Sequence, residues 1–165
     1  MFRLLPETPR DDYEVEMLLD LAFAPGRGAL SSYKLREGVA PIADLCTLIR
    51  DDYDVVVAAI RYWPVRIGGT PALLLGPIAV HPTRQGEGLG AMLIAETLDR
   101  ARDLGWHLVL LVGDPPYYTR FGFHPATPLG IRFPQPVNPE RVLVHALTPA
   151  VLDRVTGEVQ PWTGS

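Results

Sequence analysis

A glycine-rich turn joins an apolar strand pattern to a helical pattern in the middle of the chain. The strand is predicted at "PALLLGPIAV", an apolar run with little alternation that is typical of a strand covered on both faces. The stretch "RQGEGLGAML" follows closely and places Gly86, Gly88 and Gly90 at alternate positions. A second buried strand is predicted at "WHLVLLV", after the helix. This order of strand, bare turn, helix and strand limits the folds that the chain can adopt.

The helix after the turn is predicted to begin within the quoted stretch and to run to about Leu104, with Gly105 ending it. Its apolar residues recur at helical spacing, which is typical of a helix with one buried face. The predicted buried stripe consists of Leu89, Leu93, Leu98, Ala101 and Leu104.

The remaining segments predict further strands and helices on both sides of this unit. An amphipathic helix is expected from Asp11 to Ala24, ended by "PGRG", and a second short helix from Ala29 to Glu37. Strands are expected at "MFRLLPET", "ADLCTLIRDD", "DVVVAAIRYWPVRI" and "RVLVHALT", and a short helix at "PAVLDRV". A loop with one helical turn is expected at "GDPPYYTRFGF". An antiparallel middle followed by strand–helix–strand favours an α+β class, with a mixed, mostly antiparallel central sheet flanked by helices.

Length and composition set limits on domain number and partners. A chain of 165 residues predicts a single domain over residues 1–165. The net charge of −4 argues against nucleic acid as a partner, since phosphate binding favours a basic surface. Cys46 is the single cysteine, and we expect it in the core. We find no membrane-length apolar run and no signal-peptide pattern, which favours a soluble, cytoplasmic protein of bacterial type.

The three glycines predict a binding site for a phosphate group. The N-terminus of a helix exposes unpaired N–H groups, and glycines let an anion approach them closely. A Walker A loop is excluded, because no Lys-Ser/Thr pair follows the glycines. The dinucleotide pattern G-x-G-x-x-[GA] does match over Gly86–Ala91, but "HPTRQ" separates the strand from the first glycine and the preceding region is antiparallel in pattern. The alternatives are therefore a dinucleotide site and an ordinary turn.

Two motifs together resemble the GNAT superfamily of acyltransferases. That family's pyrophosphate loop is Q/R-x-x-G-x-G/A, and Gln85 to Gly90 read "QGEGLG" here, after "VHPTR". Family members often carry a tyrosine four residues before a Gly-Phe pair, which matches "YTRFGF" beginning at Tyr118. The longer stretch "GDPPYYTRFGF" is similar to a subgroup of predicted bacterial acetyltransferases. The resemblance covers residues 4–155 and is strongest over 73–123.

The resemblance implies the GNAT acyl-CoA N-acyltransferase fold, with the coenzyme bound beside the glycine turn. The strand before the turn would carry a bulge at Gly76-Pro77 and separate from its neighbour, and the pantetheine arm would lie in the gap. Glu87 departs from the family's frequent basic residue in the loop, and Arg84 can offset its charge. The residues implied in coenzyme binding are Ile78, Ala79 and Val80 through their backbone, and Arg84, Gln85, Gly86, Gly88, Leu89, Gly90 and Tyr117 around the loop.

The implied reaction is direct transfer of an acetyl group from acetyl-CoA, the cosubstrate, to a primary amine. Tyr118 is implied as the proton donor to the leaving thiolate, and the backbone N–H of Val80 as the group that faces the thioester oxygen. Tyr117 lies next to Tyr118 and can be confused with it. The alternative for both tyrosines is aromatic packing against Phe121 and Phe123.

The sequence leaves the general base and the acceptor open. The candidates for the base are Asp114, His81 and His145. The four histidines show no metal-ligand spacing, so no metal is predicted. Peptide N-termini, lysines, polyamines, aminoglycosides and small metabolites all stay open as acceptors, and so does a homodimer. A non-catalytic acyl-CoA-binding module on the same fold is the second functional hypothesis, and a dinucleotide-binding oxidoreductase is the third.

Overall fold

A mixed sheet with helices on its faces forms the molecule, for which a computed structural model describes residues 1–23 and 31–162. The helices are α1 (Asp12–Ala22), α2 (Ser31–Lys34), α3 (Leu89–Asp103) and α4 (Pro115–Tyr118). The strands are β1 (Arg3–Pro6), β2 (Thr47–Arg50), β3 (Val56–Ile67), β4 (Thr70–Val80), β5 (Leu108–Val112), β6 (His124–Pro125), β7 (Ile131–Arg132), β8 (Val142–Ala146) and β9 (Gly157–Pro161). The predicted α+β class, with a mixed, mostly antiparallel sheet, is confirmed.

The order of the strands places β4 near the centre of the sheet. Strands β1 to β4 pair antiparallel in sequence, β4 pairs parallel with β5, and β5 pairs antiparallel with β8. Strand β6 lies beyond β8, whereas β9 pairs with the end of β3 and with β7. A parallel pair needs a crossover connection, and α3 provides it between β4 and β5. This crossover brings the glycine turn to the end of β4.

Both faces of the central strands are buried, as their apolar runs predict. Leu73 and Leu111 pack on the face that α3 covers. Leu74 and Leu110 point to the opposite face and pack with residues from the C-terminal part of the chain. Helix α1 packs on this second face farther along, against β2, β3 and β4. The central strands are therefore packed on both faces, and this packing positions the ends of β4 and β5.

The predicted buried stripe of α3 is confirmed except at Leu104. That residue lies beyond the last turn of the helix and is 47% exposed. Thr97, which the hydrophobic pattern did not include, is fully buried instead. Its hydroxyl donates to the carbonyl of Leu93 at 2.6 Å and lies 2.7 Å from the hydroxyl of Tyr62. Because these bonds satisfy the hydroxyl within the core, a polar residue is tolerated where the pattern predicts an apolar one.

One predicted strand differs from the structure in extent, and one strand was not predicted. In "ADLCTLIRDD", the residues Ala43–Leu45 form a 3₁₀ turn, and β2 begins at Thr47. Cys46 lies between them and is buried, as predicted. The short helix predicted at "PAVLDRV" is present as a 3₁₀ helix over Pro149–Asp153. Strand β9 was not predicted, because its short sequence "GEVQP" carries little apolar signal and pairing with β3 selects its conformation.

The helices near the N-terminus are shorter than predicted. The helix expected over Asp11–Ala24 spans Asp12–Ala22, since Asp11 belongs to a preceding 3₁₀ turn. The predicted stop "PGRG" falls within residues 24–30, outside the described residues. Part of the helix predicted over Ala29–Glu37 also falls there, and the described part forms α2 followed by a turn.

Candidate active site

Strands β4 and β5 separate after a short stretch of parallel pairing. The pairing joins Leu73–Leu74 to β5, and β4 then continues beside β3 to its end. Between Leu75 and Ile78, β4 has one residue more than the part of β3 opposite it, which places a bulge at Gly76-Pro77. The predicted bulge is confirmed, and a gap opens between β4 and β5 beyond it.

The backbone of two residues at the end of β4 faces this gap. The N–H of His81 donates to the carbonyl of Val57 at 2.8 Å. Because hydrogen bonding alternates along an antiparallel strand, the backbone of Ala79 also bonds to β3. The N–H and C=O groups of Ile78 and Val80 therefore point away from β3. Of the three predicted backbone ligands, Ile78 and Val80 are oriented toward the gap and Ala79 is not.

A cavity of about 440 Å³ lies where the two strands have separated. Its wall combines the bulge of β4, the end of β5, the tyrosines of α4 and the turn after α2. Cavities of this size accommodate small molecules. The lining residues that bear polar side chains of interest are Tyr33, Arg36, Asp114, Tyr117, Tyr118 and Arg141.

The glycine turn leaves the N-terminus of α3 uncovered. Gly86 and Gly88 have φ angles of +85° and +79°, a region that favours glycine, and a Cβ at either position would meet no atom within 4 Å. Gly88 is the N-cap of α3, and no side chain caps the helix there. The N–H groups of its first turn therefore have no capping side chain and lie at the positive end of the helix dipole, which is an arrangement that binds anions.

Gly90 and Gln85 hold the turn against its surroundings. A Cβ at Gly90 would lie 3.2 Å from the hydroxyl of Tyr117, so this glycine permits close packing with α4. The side-chain amide of Gln85 donates to the carbonyl of Val80 at 3.0 Å. Gln85 thus ties the loop to the end of β4, and its side chain is used within the protein.

Arg84 is held by two carboxylates beside the turn. Its guanidinium donates to Asp51 at 3.0 Å and lies 3.6 Å from the carboxylate of Glu87. Hydrogen bonds from the N–H groups of Val55 and Tyr53, together with Arg84, hold the pKa of Asp51 below its usual range. Arg84 offsets part of the negative charge of Glu87, the acidic residue that departs from the family pattern, because it also pairs with Asp51. Asp51 was missed by sequence reasoning, since it lies 33 residues away from Arg84.

Tyr118 is packed between the end of β5 and an aromatic cluster. A Cβ at Gly113 would collide with the ring of Tyr118, so that glycine makes room for the tyrosine. The rings of Tyr117, Phe121 and Phe123 lie 5.0, 6.5 and 6.1 Å from it, between centroids. Burial is the main cause that raises the pKa of Tyr118 to about 12. The phenol therefore keeps its proton at neutral pH while it lines the cavity.

The Gly-Phe pair of the motif has a packing reason. Phe123 is fully buried, and the ring of His145 packs on it with 5.4 Å between centroids. The Nδ1 of His145 lies 3.0 Å from the carbonyl of Gly122, to which it can donate. A Cβ at Gly122 would lie 2.8 Å from this ring. The packing of Gly122 and Phe123 against His145 thus fixes the conformation of the chain that follows Tyr118.

Replacing Gly122 with alanine is expected to destabilise the fold without touching the cavity. Gly122→Ala places a side chain at a φ of +93° and against His145, which should lower the free energy of unfolding by about 2 to 4 kcal/mol. Gly105→Ala is the matched control, because Gly105 has a φ of +92° and open space around it. Urea denaturation should show that the control loses only about 1 to 2 kcal/mol of its free energy of unfolding. Equal losses in both variants would contradict the packing role of Gly122.

The three candidates for the general base lie in different places. Asp114 lines the cavity beside Tyr117 and Tyr118. The Nδ1 of His81 accepts from the N–H of Thr83 at 3.2 Å, in the 3₁₀ turn after β4. His145 packs in the sheet, where burial lowers its pKa. Among the described residues that line the cavity, Asp114 is the one candidate base from the sequence analysis.

The described part of the chain contains neither a metal-binding cluster nor a membrane-spanning helix. No group of three or more His, Cys, Asp or Glu side chains there is arranged to hold a metal ion. None of the helices in residues 1–23 and 31–162 is both long and apolar enough to span a bilayer.

Comparison with known proteins establishes the family. A family model described as an acetyltransferase (GNAT) domain matches residues 43–125. Over 157 residues the chain is 32% identical to the N-acetyltransferase YhbS of Escherichia coli strain K12, covering 93% of this chain and 92% of that protein. The chain belongs to the GNAT family of acetyltransferases. It is therefore an acyltransferase, and the dinucleotide-binding oxidoreductase is set aside.

Solved GNAT structures share the fold over nearly the whole chain. The GNAT family N-acetyltransferase YhbS from E. coli, solved in complex with CoA, aligns with a TM-score of 0.83 and 30% identity, covering 98% of this chain and 88% of that chain. A GNAT family acetyltransferase from Brucella melitensis, solved in complex with acetyl-CoA, aligns with a TM-score of 0.75 and 29% identity, covering 99% and 97%. The GNAT fold that the two motifs implied is confirmed.

Sequence reasoning missed the arginines of the cavity. Arg36 lies in the turn after α2, and Arg141 lies just before β8, where its Nε donates to the carbonyl of Gly113 at 3.3 Å. Both line the cavity that Tyr118 lines. No local motif marks either residue, since each belongs to a segment that the fold alone brings to the end of β5.

Proposed function

We propose that this GNAT acyltransferase transfers an acetyl group from acetyl-CoA to a primary amine that binds in the cavity between β4 and β5. The observation that carries the proposal is the uncapped N-terminus of α3 beside the gap toward which Ile78 turns its N–H and C=O groups and Val80 its N–H group. The N-terminus of α3 suits a pyrophosphate, and the backbone groups at the end of β4 suit the amides of a pantetheine arm. The related structures from E. coli and B. melitensis contain CoA and acetyl-CoA, which supports this assignment.

Coenzyme binding is assigned to the backbone of the glycine turn. The N–H groups near Gly86, Gly88, Leu89 and Gly90 would bind the pyrophosphate, because glycine leaves them accessible and the helix dipole favours an anion. Arg84 and Gln85 would shape the loop through their bonds to Asp51 and to β4. Tyr117 would support the first turn of α3 through its contact at Gly90.

The pantetheine arm is assigned to the gap beyond the bulge. Ile78 would exchange hydrogen bonds with its amides as a neighbouring strand does, and Val80 would contribute its N–H, since the carbonyl of Val80 already accepts from Gln85. The N–H of Val80 would also face the thioester oxygen and stabilise the negative charge that develops there. Ala79 contributes through its position between them, since its backbone is bonded to β3.

The reaction requires two proton transfers around one nucleophilic attack. The amine nitrogen forms a bond to the thioester carbonyl carbon, the carbon–sulfur bond breaks, and the sulfur leaves as a thiolate. Tyr118 would donate its phenolic proton to this thiolate, and Asp114 would accept the proton that the amine loses, directly or through water. Placing both reactants in one cavity supplies a further part of the rate acceleration. We assign residues 1–165 to a single catalytic domain of this kind.

Turnover with an amine panel tests the proposal. Release of free thiol from acetyl-CoA should depend on the added amine and saturate with it. The panel should include peptides with free N-termini, amino acids, polyamines and aminoglycosides. Saturable acetyl-CoA binding with no amine-dependent thiol release would instead support a non-catalytic acyl-CoA-binding module on the same fold.

A further inference from the structure

Three neighbouring side chains, two of which line the cavity, have buried polar atoms without a hydrogen-bond partner. They are the hydroxyl of Tyr33, the Nε and Nη1 atoms of Arg36, and the indole nitrogen of Trp63. No other side chain in residues 1–23 and 31–162 has such an atom. Because buried polar groups are almost always hydrogen-bonded, their concentration at one place indicates that a group is missing there.

Arg36 brings an uncompensated positive charge to this cluster. It is 8% exposed, and its guanidinium lies 4.0 Å from the ring centroid of Tyr33 and 5.8 Å from that of Trp63. Burial lowers the pKa of Arg36 to about 10, so the side chain remains a cation at neutral pH. No carboxylate in the described part of the chain forms an ion pair with it. Burying a charge in this way is unfavourable unless a partner arrives.

A second buried arginine nearby shows the usual arrangement. Arg61 on β3 is paired with Glu7 at 2.8 Å and with Asp12 at 3.3 Å, and it also donates to Glu16. Its side chain is 11% exposed. Within residues 1–23 and 31–162, carboxylates are therefore supplied to Arg61 and none to Arg36. This difference indicates that the partner of Arg36 is a bound ligand.

The guanidinium of Arg36 lies in the cavity wall beside the bulge of β4. Arg36 and Tyr33 line the cavity together with the bulge, and Nη2 lies 3.6 Å from the position of a Cβ at Gly76. Among the described residues of the lining, the other charged ones are Arg141 and Asp114. Two cations and one anion repel an acceptor that carries positive charge alone. They attract one that also carries a negative group.

We propose that Arg36 binds a carboxylate of the acceptor, so that the acceptor is a small amine bearing a carboxylate, as an amino acid does. This inference rests on the proposed function, because the amine must reach the thioester. Arginine and tryptophan offer only donors, and the tyrosine hydroxyl can donate as well, so the missing group is an acceptor of hydrogen bonds. A carboxylate matches the planar guanidinium fork and its single charge. A small rotation of the guanidinium would turn a second N–H toward the cavity beside Nη2.

Matched acceptors test the chemistry. L-amino acids and short ω-amino acids are compared with their carboxamides, with acetyl-CoA held at saturation, and thiol release gives kcat/KM for each. O-phosphoethanolamine tests an amine that carries a phosphate in place of the carboxylate. We expect the best carboxylate to exceed its carboxamide at least about 30-fold in kcat/KM, and to exceed the phosphate. A carboxamide or a phosphate that equals or exceeds every carboxylate would overturn the proposal.

Variants of Arg36 connect that preference to the residue. Arg36→Met should raise the KM for the carboxylate at least about 30-fold and change the KM for the carboxamide less than about threefold, while Arg36→Lys should fall between them. Arg66→Met is the control, because Arg66 also lies over an aromatic ring, that of Trp162 at 4.3 Å, but outside the cavity lining. A carboxylate preference that survives Arg36→Met would contradict the proposal.

The melting temperature of the ligand-free protein separates a binding role from a structural one. Arg36→Met removes an uncompensated charge and should raise the melting temperature, whereas Arg61→Met leaves Glu7 without its partner and should lower it. A lower melting temperature for both variants would make Arg36 a structural residue and overturn the proposal.

Failure of the proposed function is recognised separately. It would appear as absence of acetyl-CoA binding by the wild-type protein. In that case the carboxylates are tested through the melting temperature alone. The wild type should be stabilised by a carboxylate more than by its carboxamide, and Arg36→Met should not. Acetyl-CoA binding with no response to any carboxylate overturns the inference and leaves the function standing.

Discussion

Tyr118→Phe is expected to lower kcat about 100- to 1,000-fold while acetyl-CoA binds as before. The substitution removes only the hydroxyl, and loss of a positioned general acid typically costs this much in rate. Burial raises the pKa of Tyr118 to about 12, so the proton is present on the wild-type enzyme throughout neutral and mildly alkaline pH. We therefore also expect no loss of wild-type rate from this group between pH 7 and 9. Steady-state thiol release and calorimetric titration with acetyl-CoA measure the two effects.

Tyr117→Phe is the matched control for that substitution. Its hydroxyl lies beside Gly90, 3.2 Å from the position of a Cβ there, and packs at the first turn of α3. We expect its loss to weaken acetyl-CoA binding only a few-fold and to leave kcat within about threefold of the wild type. A large fall in kcat for Tyr117→Phe with none for Tyr118→Phe would exchange the roles of the two tyrosines. Equal rates in all three proteins would remove both from the chemistry.

Gly88→Val is expected to weaken acetyl-CoA binding at least about 100-fold. A β-branched residue is strongly disfavoured at a φ of +79°, so the turn would leave the conformation that exposes the first N–H groups of α3. Each charge-assisted hydrogen bond to the pyrophosphate contributes about 1.5 to 3 kcal/mol, and loss of two gives this effect on Kd. The affinity is measured by calorimetric titration.

Gly69→Val controls for backbone strain alone. Gly69 has a φ of +91° with open space around it, and it lies in the turn before β4, at the other end of that strand from the glycine turn. The two variants should lose similar amounts of stability to denaturant, and Gly69→Val should keep the wild-type Kd for acetyl-CoA. A similar loss of affinity in both would show that the glycine turn has no special part in binding.

The parts of the site that the sequence predicted are local in the chain. The glycine turn follows from a few consecutive residues whose conformational preferences agree, whereas the bulge at Gly76-Pro77 and Tyr118 were implied by short motifs that resemble the family. The strand–helix–strand order around the turn is read in the same way. The family resemblance joined these pieces, because their order and separation are more specific than any one of them.

The parts that the sequence did not predict depend on contacts between distant segments. Asp51 reaches Arg84 from the turn between β2 and β3, and Arg36 reaches the cavity from the turn after α2. Neither residue lies in a periodic pattern or a motif. Strand β9 is similar, since its pairing with β3 rather than its composition gives it an extended conformation. Sequence patterns describe the faces of elements, and these features are set by which elements meet.

The glycines of the turn show both kinds of information. Their spacing predicted an exposed backbone, and the φ angles of Gly86 and Gly88 agree with that prediction. The reason for Gly90 is different, because its neighbour is the hydroxyl of Tyr117 from another part of the chain. One motif therefore combines two residues that open the backbone with one that permits packing.

Calorimetric titration of the purified protein with acetyl-CoA tests the central claim most directly, with NADH as the control ligand. The account predicts saturable binding of acetyl-CoA to one site per chain, competition by CoA, and no heat of binding with NADH. Absence of acetyl-CoA binding at millimolar concentration would contradict it, and the glycine turn would then be structural or would bind a different anion.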